Sequence, residues 1–233
     1  MKDGLVITID GPAGVGKSTV SKALAEKLSY IYLDTGALYR AVAYKMITEG
    51  IALTNEENLQ SFLNRMMIRI ENSCNGIRVF VNEEDVTNSI RTEKISLAAS
   101  KISAIPTVRK ALLQIQRNTA EKGGVVAEGR DTGTVVFCDA DVKFFLEATF
   151  AERIRRRYDE LRLRGESANY EQLSGDMAVR DKQDRERLIA PLTAHPDAII
   201  IDSTNQSVKQ VVDRMMSEIK WYLAKQTPER PGR

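Results

Sequence analysis

At 233 residues, 42% of them hydrophobic, the chain is long enough for one large α/β core, or for a core with an inserted subdomain, without disulfide or metal staples. Its 34 Lys and Arg against 32 Asp and Glu leave a net charge of +2, so bulk charge gives no reason to expect a nucleic-acid partner. Cys74 and Cys138 lack metal-ligand spacing and read as buried or incidental thiols; with no leader-like start and no apolar run of about 18 residues, the expectation is a soluble, cytoplasmic protein with no membrane partner.

The first strand-like run, Leu5–Ile9, leads directly into Gly11-Pro12-Ala13-Gly14-Val15-Gly16-Lys17-Ser18, which is G-x-x-x-x-G-K-S. At average glycine usage chance produces this pattern in about one chain in a hundred of this length, and the strand before it and helix after it make chance rarer still. The glycines let successive backbone N–H groups face phosphate oxygens, Lys17 brings a cation to the outer phosphates, and the Ser18 hydroxyl is a candidate ligand for Mg²⁺. With Thr19 these residues form the expected ATP site. Val20, Ala23, Leu24 and Leu28 then recur at the spacing of one helical face, so a helix starts near Gly16 and adds its positive end to the loop.

Further strand-like runs follow at Tyr30–Leu33, Val125–Ala127, Val142–Leu146 and Ala198–Ile201, separated by stretches of helical period. The alternation predicts an α/β fold, a five-stranded parallel sheet with helices on both faces and the first strand at its centre. Ligands then gather at the carboxyl ends of the strands, where Asp10, Asp34, Glu128 and Asp202 stand. Between about Thr54 and Arg91 the pattern changes. A short amphipathic helix precedes Ile68-Arg69-Ile70 and Arg78-Val79-Phe80-Val81, two alternating runs flanking a turn signal, which read as a hairpin at about 66–82 inserted into the core. Glu152 to Arg164 is an arginine-dense helix followed by a polar, glycine-containing loop, the pattern of a lid at about 153–168. Arg153 and Arg157 lie i,i+4 on it and are expected to swing onto the ATP phosphates. The tail from Thr227 onward is expected to fray.

A phosphate loop alone does not separate switches, pumps and transferases. No N-K-x-D or D-x-x-G occurs, which argues against a GTPase switch. Transfer onto an acceptor that is itself a phosphate requires cations more than a base, because two polyanions must meet and the attacking oxygen is already anionic. Guanidinium groups suit this best. Arg40, Arg109, Arg130, Arg180 and Arg187 stand beside glycines and carboxylates near strand ends, whereas the single histidine, His195, reads as a loop residue outside the chemistry.

Four segments, Leu33 to Arg40, Ile90-Arg91-Thr92, Glu128 to Phe137 (E-G-R-D-T-G-T-V-V-F) and Arg180 to Arg185, together with the phosphate loop, closely resemble the bacterial cytidylate kinases over nearly the whole chain. The resemblance implies a P-loop nucleoside monophosphate kinase fold in a single domain over 1–233, with an acceptor-binding region at about 36–110 enlarged by the insertion, and a short lid. It implies ATP and CMP or dCMP as substrates, Mg²⁺ as cofactor, and a monomer by default. By the same matching, Ser100, Arg109 and Asp131 would read the cytosine edge, and Arg180 and Asp184 would hold the ribose hydroxyls. Arg40, Arg130 and Arg187 would clamp the acceptor phosphate while Lys17 holds the donor; Lys17, Arg40, Arg130 and Arg187 are thus the expected catalytic group. Thr35 stands where the family often has serine and keeps the hydroxyl. Asp34 serves either a metal-bound water or the cap of the following helix. Two rivals stay open at this point: a kinase of the same fold acting on another small acceptor, such as UMP or shikimate, and a nucleotide-sensing regulator without turnover.

Overall fold

The computed structural model describes residues 4–52, 56–73, 76–165 and 167–226. Cys74, Asn75 and the tail from Thr227 lie outside the described residues. Five strands, β1 (Val6–Asp10), β2 (Ile31–Asp34), β6 (Val125–Gly129), β7 (Val142–Glu147) and β8 (Ile199–Asp202), form one sheet in the order β2-β6-β1-β7-β8, with every pair parallel. All five residues of both β1 and β6 are buried, which is why these strands read as unbroken apolar runs. Ile9 lies opposite Glu128 on one side and Phe144 on the other, so the central strand carries the chain straight into the phosphate loop.

Helix α1 (Lys17–Leu28) starts after Gly16 and ends at Ser29, whose left-handed backbone closes the last turn. It packs Val20 and Leu24 against Ile7, Ile9 and Phe144, together with Met215 and Ile219 of α8 (Val208–Gln226). Helix α2 (Thr35–Thr48) buries Leu38 and Val42 in the same core. On the opposite side of the sheet Leu33, Val125 and Ala127 meet Val136 and Phe137, with Leu113 of α5 (Pro106–Thr119) against them.

The inserted segment begins with α3 (Glu56–Arg65) and continues as β3 (Ile68–Ser73) paired antiparallel with β4 (Gly76–Val81). A two-residue strand, β5 (Glu84–Asp85), adds to β4, which alternation over so short a run did not announce. Val79 and Val81 are buried on the core side, while Phe80 lies between the guanidinium groups of Arg69 and Arg78, 4.3 and 4.8 Å from its ring centre. Helix α4 (Glu93–Ile102), capped by Thr92, returns the chain to the sheet. Beyond β7, α6 (Phe150–Leu163) and α7 (Tyr170–Glu186) form a third cluster in which Ile154, Leu161, Leu173 and Met177 enclose Ala13 of the phosphate loop. Cys138 is exposed and His195 lies in the loop between α7 and β8, its Nε2 3.3 Å from Lys143. No helix among the described residues is long and apolar enough to cross a membrane.

Candidate active site

A cleft of about 1110 Å³ opens at the carboxyl ends of the strands, between the phosphate loop, α2, α4, α6 and α7. Ala13 to Thr19 line one end. The loop needs glycine to hold its shape: a Cβ on Gly11 would come within 2.3 Å of the Leu146 carbonyl, Gly14 has φ +71° and a Cβ there would come within 2.7 Å of the Arg153 carbonyl, and Gly16 has φ +95° as it caps α1. Lys17 is buried and its Nζ donates to the Pro12 carbonyl at 2.7 Å. Burial first, then the charge of Arg130, holds its pKa well below the ordinary lysine range. Ser18 and Thr19 stay exposed at the mouth of the loop. Gly11 and Pro12 are buried beneath it and do not line the cleft.

The acceptor end is a chain of arginines resting on carboxylates. Asp34 caps α2 by accepting from the Ala37 N–H at 2.9 Å, and its other oxygen holds Arg40 at 2.7 Å. Arg130 donates through Nε to Asp184 at 2.8 Å, and Ser100 donates to the other oxygen of the same carboxylate at 2.8 Å. Burial would raise both carboxyls, and the arginines outweigh it: Arg40 holds Asp34 below the usual range, and Arg130 with Arg180 does so for Asp184. Arg180 has the weakest compensation. Its Nε is buried without a hydrogen-bond partner among the described residues, and burial together with Arg130 and Arg40 brings its pKa down to about 10. Thr35 lines the cleft, but its hydroxyl donates inward to the Glu128 carbonyl at 2.7 Å.

Asp131 lies at the far end, buried, with Arg109 on Oδ2 and Arg187 on Oδ1 at 3.2 Å. Arg109 stands behind Asp131 and does not itself line the cleft. Two of the expected phosphate contacts rest on other partners in this structure. Arg187, expected with Arg40 and Arg130, sits at the Asp131 end instead: as the residue ending α7 it commits Nε to the Ala190 carbonyl at 2.6 Å, Nη1 to the Ser103 hydroxyl at 2.7 Å and Nη2 to Asp131. Arg153, expected to turn toward the donor phosphates, is 4% exposed and faces away from the cleft, its Nη1 donating to the Ala13 carbonyl at 3.0 Å and to Asp181 at 2.6 Å. It props the phosphate loop from behind.

On the same helix Arg157 does face the cleft, bridging Glu93 at 2.7 Å and Glu160 at 2.6 Å. Sequence reasoning passed over its neighbour Arg156, which lines the cleft while holding the Val15 carbonyl at 3.1 Å and the Ser203 carbonyl at 2.6 Å. It also missed Glu93, Arg91 and Ser103; of these only Arg91 stood in a segment already singled out. Asp10 is spent internally, accepting from the Thr132 and Gly133 backbone N–H groups at 2.9 and 2.7 Å, and so ties β1 to the turn at Thr132–Val136. Glu128 accepts from the buried Tyr32 hydroxyl and from Ser18; burial and the nearby Asp34 raise its pKa.

The arrangement thus offers a glycine-lined cradle with one lysine, a group of partly neutralised arginines a short way along the same cleft, and a carboxylate held by two arginines beyond them. A family model described as cytidylate kinase matches residues 7–221. The cytidylate kinase of Exiguobacterium sp. (strain ATCC BAA-1283 / AT1b) is 46% identical over 223 residues, which is 94% of this chain and all of that protein. The cytidylate kinase of Bacillus subtilis (strain 168) is 46% identical over 220 residues, 94% of this chain and 98% of that one. Among solved structures, a gluconokinase from Sinorhizobium meliloti 1021 aligns with TM-score 0.50 at 14% identity, covering 97% of this chain and 99% of that one, a likeness of fold.

Proposed function

The chain belongs to the cytidylate kinase family and is an ATP-dependent nucleoside monophosphate kinase; we propose that this cleft is where it moves the γ-phosphoryl group of ATP to CMP or dCMP, giving ADP and CDP or dCDP. The observation that carries the reading is the crowding of Lys17, Arg40, Arg130 and Arg180 into one cleft, close enough that Arg130 depresses the lysine, with the buried Nε of Arg180 lacking a hydrogen-bond partner among the described residues. Cations are gathered at such a cost where anions bind.

Backbone N–H groups of Gly14 to Ser18 and the Lys17 ammonium cradle the donor phosphates. Arg40 and Arg130 clamp the acceptor phosphate, exchanging Asp34 and Asp184 for its oxygens, Arg180 with Asp184 receives the ribose, and Ser100, which donates to Asp184, serves the cytosine edge beside it. Asp131 accepts from the exocyclic amine of cytosine, the group that uracil lacks, with Arg109 and Arg187 fixing its carboxylate. Arg157, and Arg156 beside the loop, close over the donor. Positioning two polyanions in line and spreading the developing charge over guanidinium groups supplies the catalysis, and no general base is needed because the attacking phosphate oxygen is already anionic.

The residues present fit Mg²⁺. Ser18 offers an exposed hydroxyl on the first turn of α1, and the Glu128 carboxylate stands behind it within hydrogen-bond reach. Bound there, the ion would neutralise charge on the outer phosphates.

ADP release measured against a panel of CMP, dCMP, UMP and shikimate tests the reading. CMP- or dCMP-dependent turnover well above the others is expected; preference for UMP or shikimate, or nucleotide binding with no acceptor-dependent ADP, would refute it.

A further inference from the structure

Ser103 ends α4 one helical turn after Ser100, is 5% exposed, and lines the cleft. Its hydroxyl proton goes to the Ser100 carbonyl at 2.7 Å, so toward Arg187 Nη1, also at 2.7 Å, the same oxygen acts only as an acceptor. Its backbone carbonyl accepts from Arg109 Nη1 at 3.1 Å. The two arginines that end on Ser103 are the two that hold opposite oxygens of Asp131. Ser103, Arg109, Asp131 and Arg187 therefore form a closed ring, with one residue terminating both guanidinium groups.

We propose that Ser103 is a positioning residue for selection of the acceptor base, acting through Arg187 on Asp131. The inference rests on the reading of the cleft as a CMP site. A carboxylate gripped on both oxygens cannot rotate, so the lone pairs left to it present one fixed acceptor edge to the cleft, matched to an amine and opposed to a carbonyl oxygen. The grip depends on Arg187 keeping its own orientation. Nε is held by the Ala190 carbonyl and Nη2 by Asp131, and the Ser103 hydroxyl is what fixes Nη1. Without it Nη1 has two free N–H donors beside the base-reading carboxylate. Those donors suit the O4 of uracil, so discrimination falls chiefly through better use of UMP.

The test compares Ser103→Ala, which removes only the hydroxyl, with Ser103→Thr, which restores it. In wild type and both variants the kcat/KM values for CMP and for UMP are measured at saturating ATP, with thermal melts alongside. Loss of one hydrogen bond to a charged group predicts about a tenfold fall in the CMP to UMP ratio for Ser103→Ala, with recovery in Ser103→Thr. An unchanged ratio, a parallel loss on both acceptors, or a Thr variant that behaves like Ala would overturn the inference. A wild-type enzyme without CMP-dependent ADP release would instead overturn the reading on which it stands.

Discussion

Arg180→Met separates what the cleft costs the fold from what it gives the reaction. The substitution keeps the apolar stem of the side chain and removes its charge. Burial, and the charges of Arg130 and Arg40, pull the guanidinium to about 10 from an ordinary range above 12. A cation whose folded pKa is depressed opposes folding fully at pH values below that folded pKa, and the penalty fades only as pH rises through it; at pH 7 it is about 3 kcal/mol. That shift already includes the attraction to Asp184 and Glu93; lost packing of the guanidinium offsets part of the relief, leaving an expected net gain of about 1–2 kcal/mol, or roughly 2–8 °C in melting temperature for a chain of this length. The same variant lacks a partner for the acceptor nucleotide, so CMP should no longer raise the melting temperature as it does in wild type, where saturation at a hundredfold over Kd is worth about 2.7 kcal/mol. Differential scanning calorimetry with and without CMP reads both effects. A variant that melts lower than wild type without ligand, yet keeps the full CMP-dependent shift, would refute the reasoning.

Arg153→Leu leaves the Asp181 carboxylate buried without its cation and removes the prop on the Ala13 carbonyl, so the protein should lose about 3–5 kcal/mol in urea unfolding, whereas Arg157→Leu should leave stability within about 1 kcal/mol and raise the KM for ATP. Asp131→Asn should compress the CMP to UMP ratio of kcat/KM at least tenfold while the KM for ATP stays within about twofold; an unchanged ratio removes Asp131 from base recognition. Because Arg40 overcomes burial at Asp34, and Arg130 with Arg180 does so at Asp184, both carboxylates contribute stability present above about pH 4 and lost as pH falls through their lower folded values. Acid titration of Asp184→Asn should show a shallower stability loss below pH 4 than wild type does.

What the amino-acid order revealed was whatever is contiguous. Eight residues in a row specify the phosphate loop, and the strands are legible because a parallel sheet covered on both faces demands unbroken apolar runs, as at Val6–Asp10 and Val125–Gly129. Side-chain destinations were not legible in the same way. The i,i+4 spacing of Arg153 and Arg157 places them on one side of α6, but not what that side meets; one guanidinium is taken up by Ala13 and Asp181, the other by Glu93 across the cleft. Arg187 was matched to the phosphate clamp through the family resemblance, and spacing does not show that the chain leaves α7 at that residue and rests it on Asp131. Glu93 and Ser103 stand at the two ends of α4 outside every motif, and only the packing of α4 against α7 and α6 gives them meaning.

The resting partners of the clamp bear on how the enzyme lets go. Arg40 and Arg130 each have a carboxylate of the protein's own within 2.8 Å, waiting when the nucleotide departs. On the proposed reading a phosphate displaces Asp34 and Asp184 on arrival, which tempers affinity, and the same two groups reclaim those two cations as the diphosphate leaves. Such an exchange favours rapid turnover over tight retention.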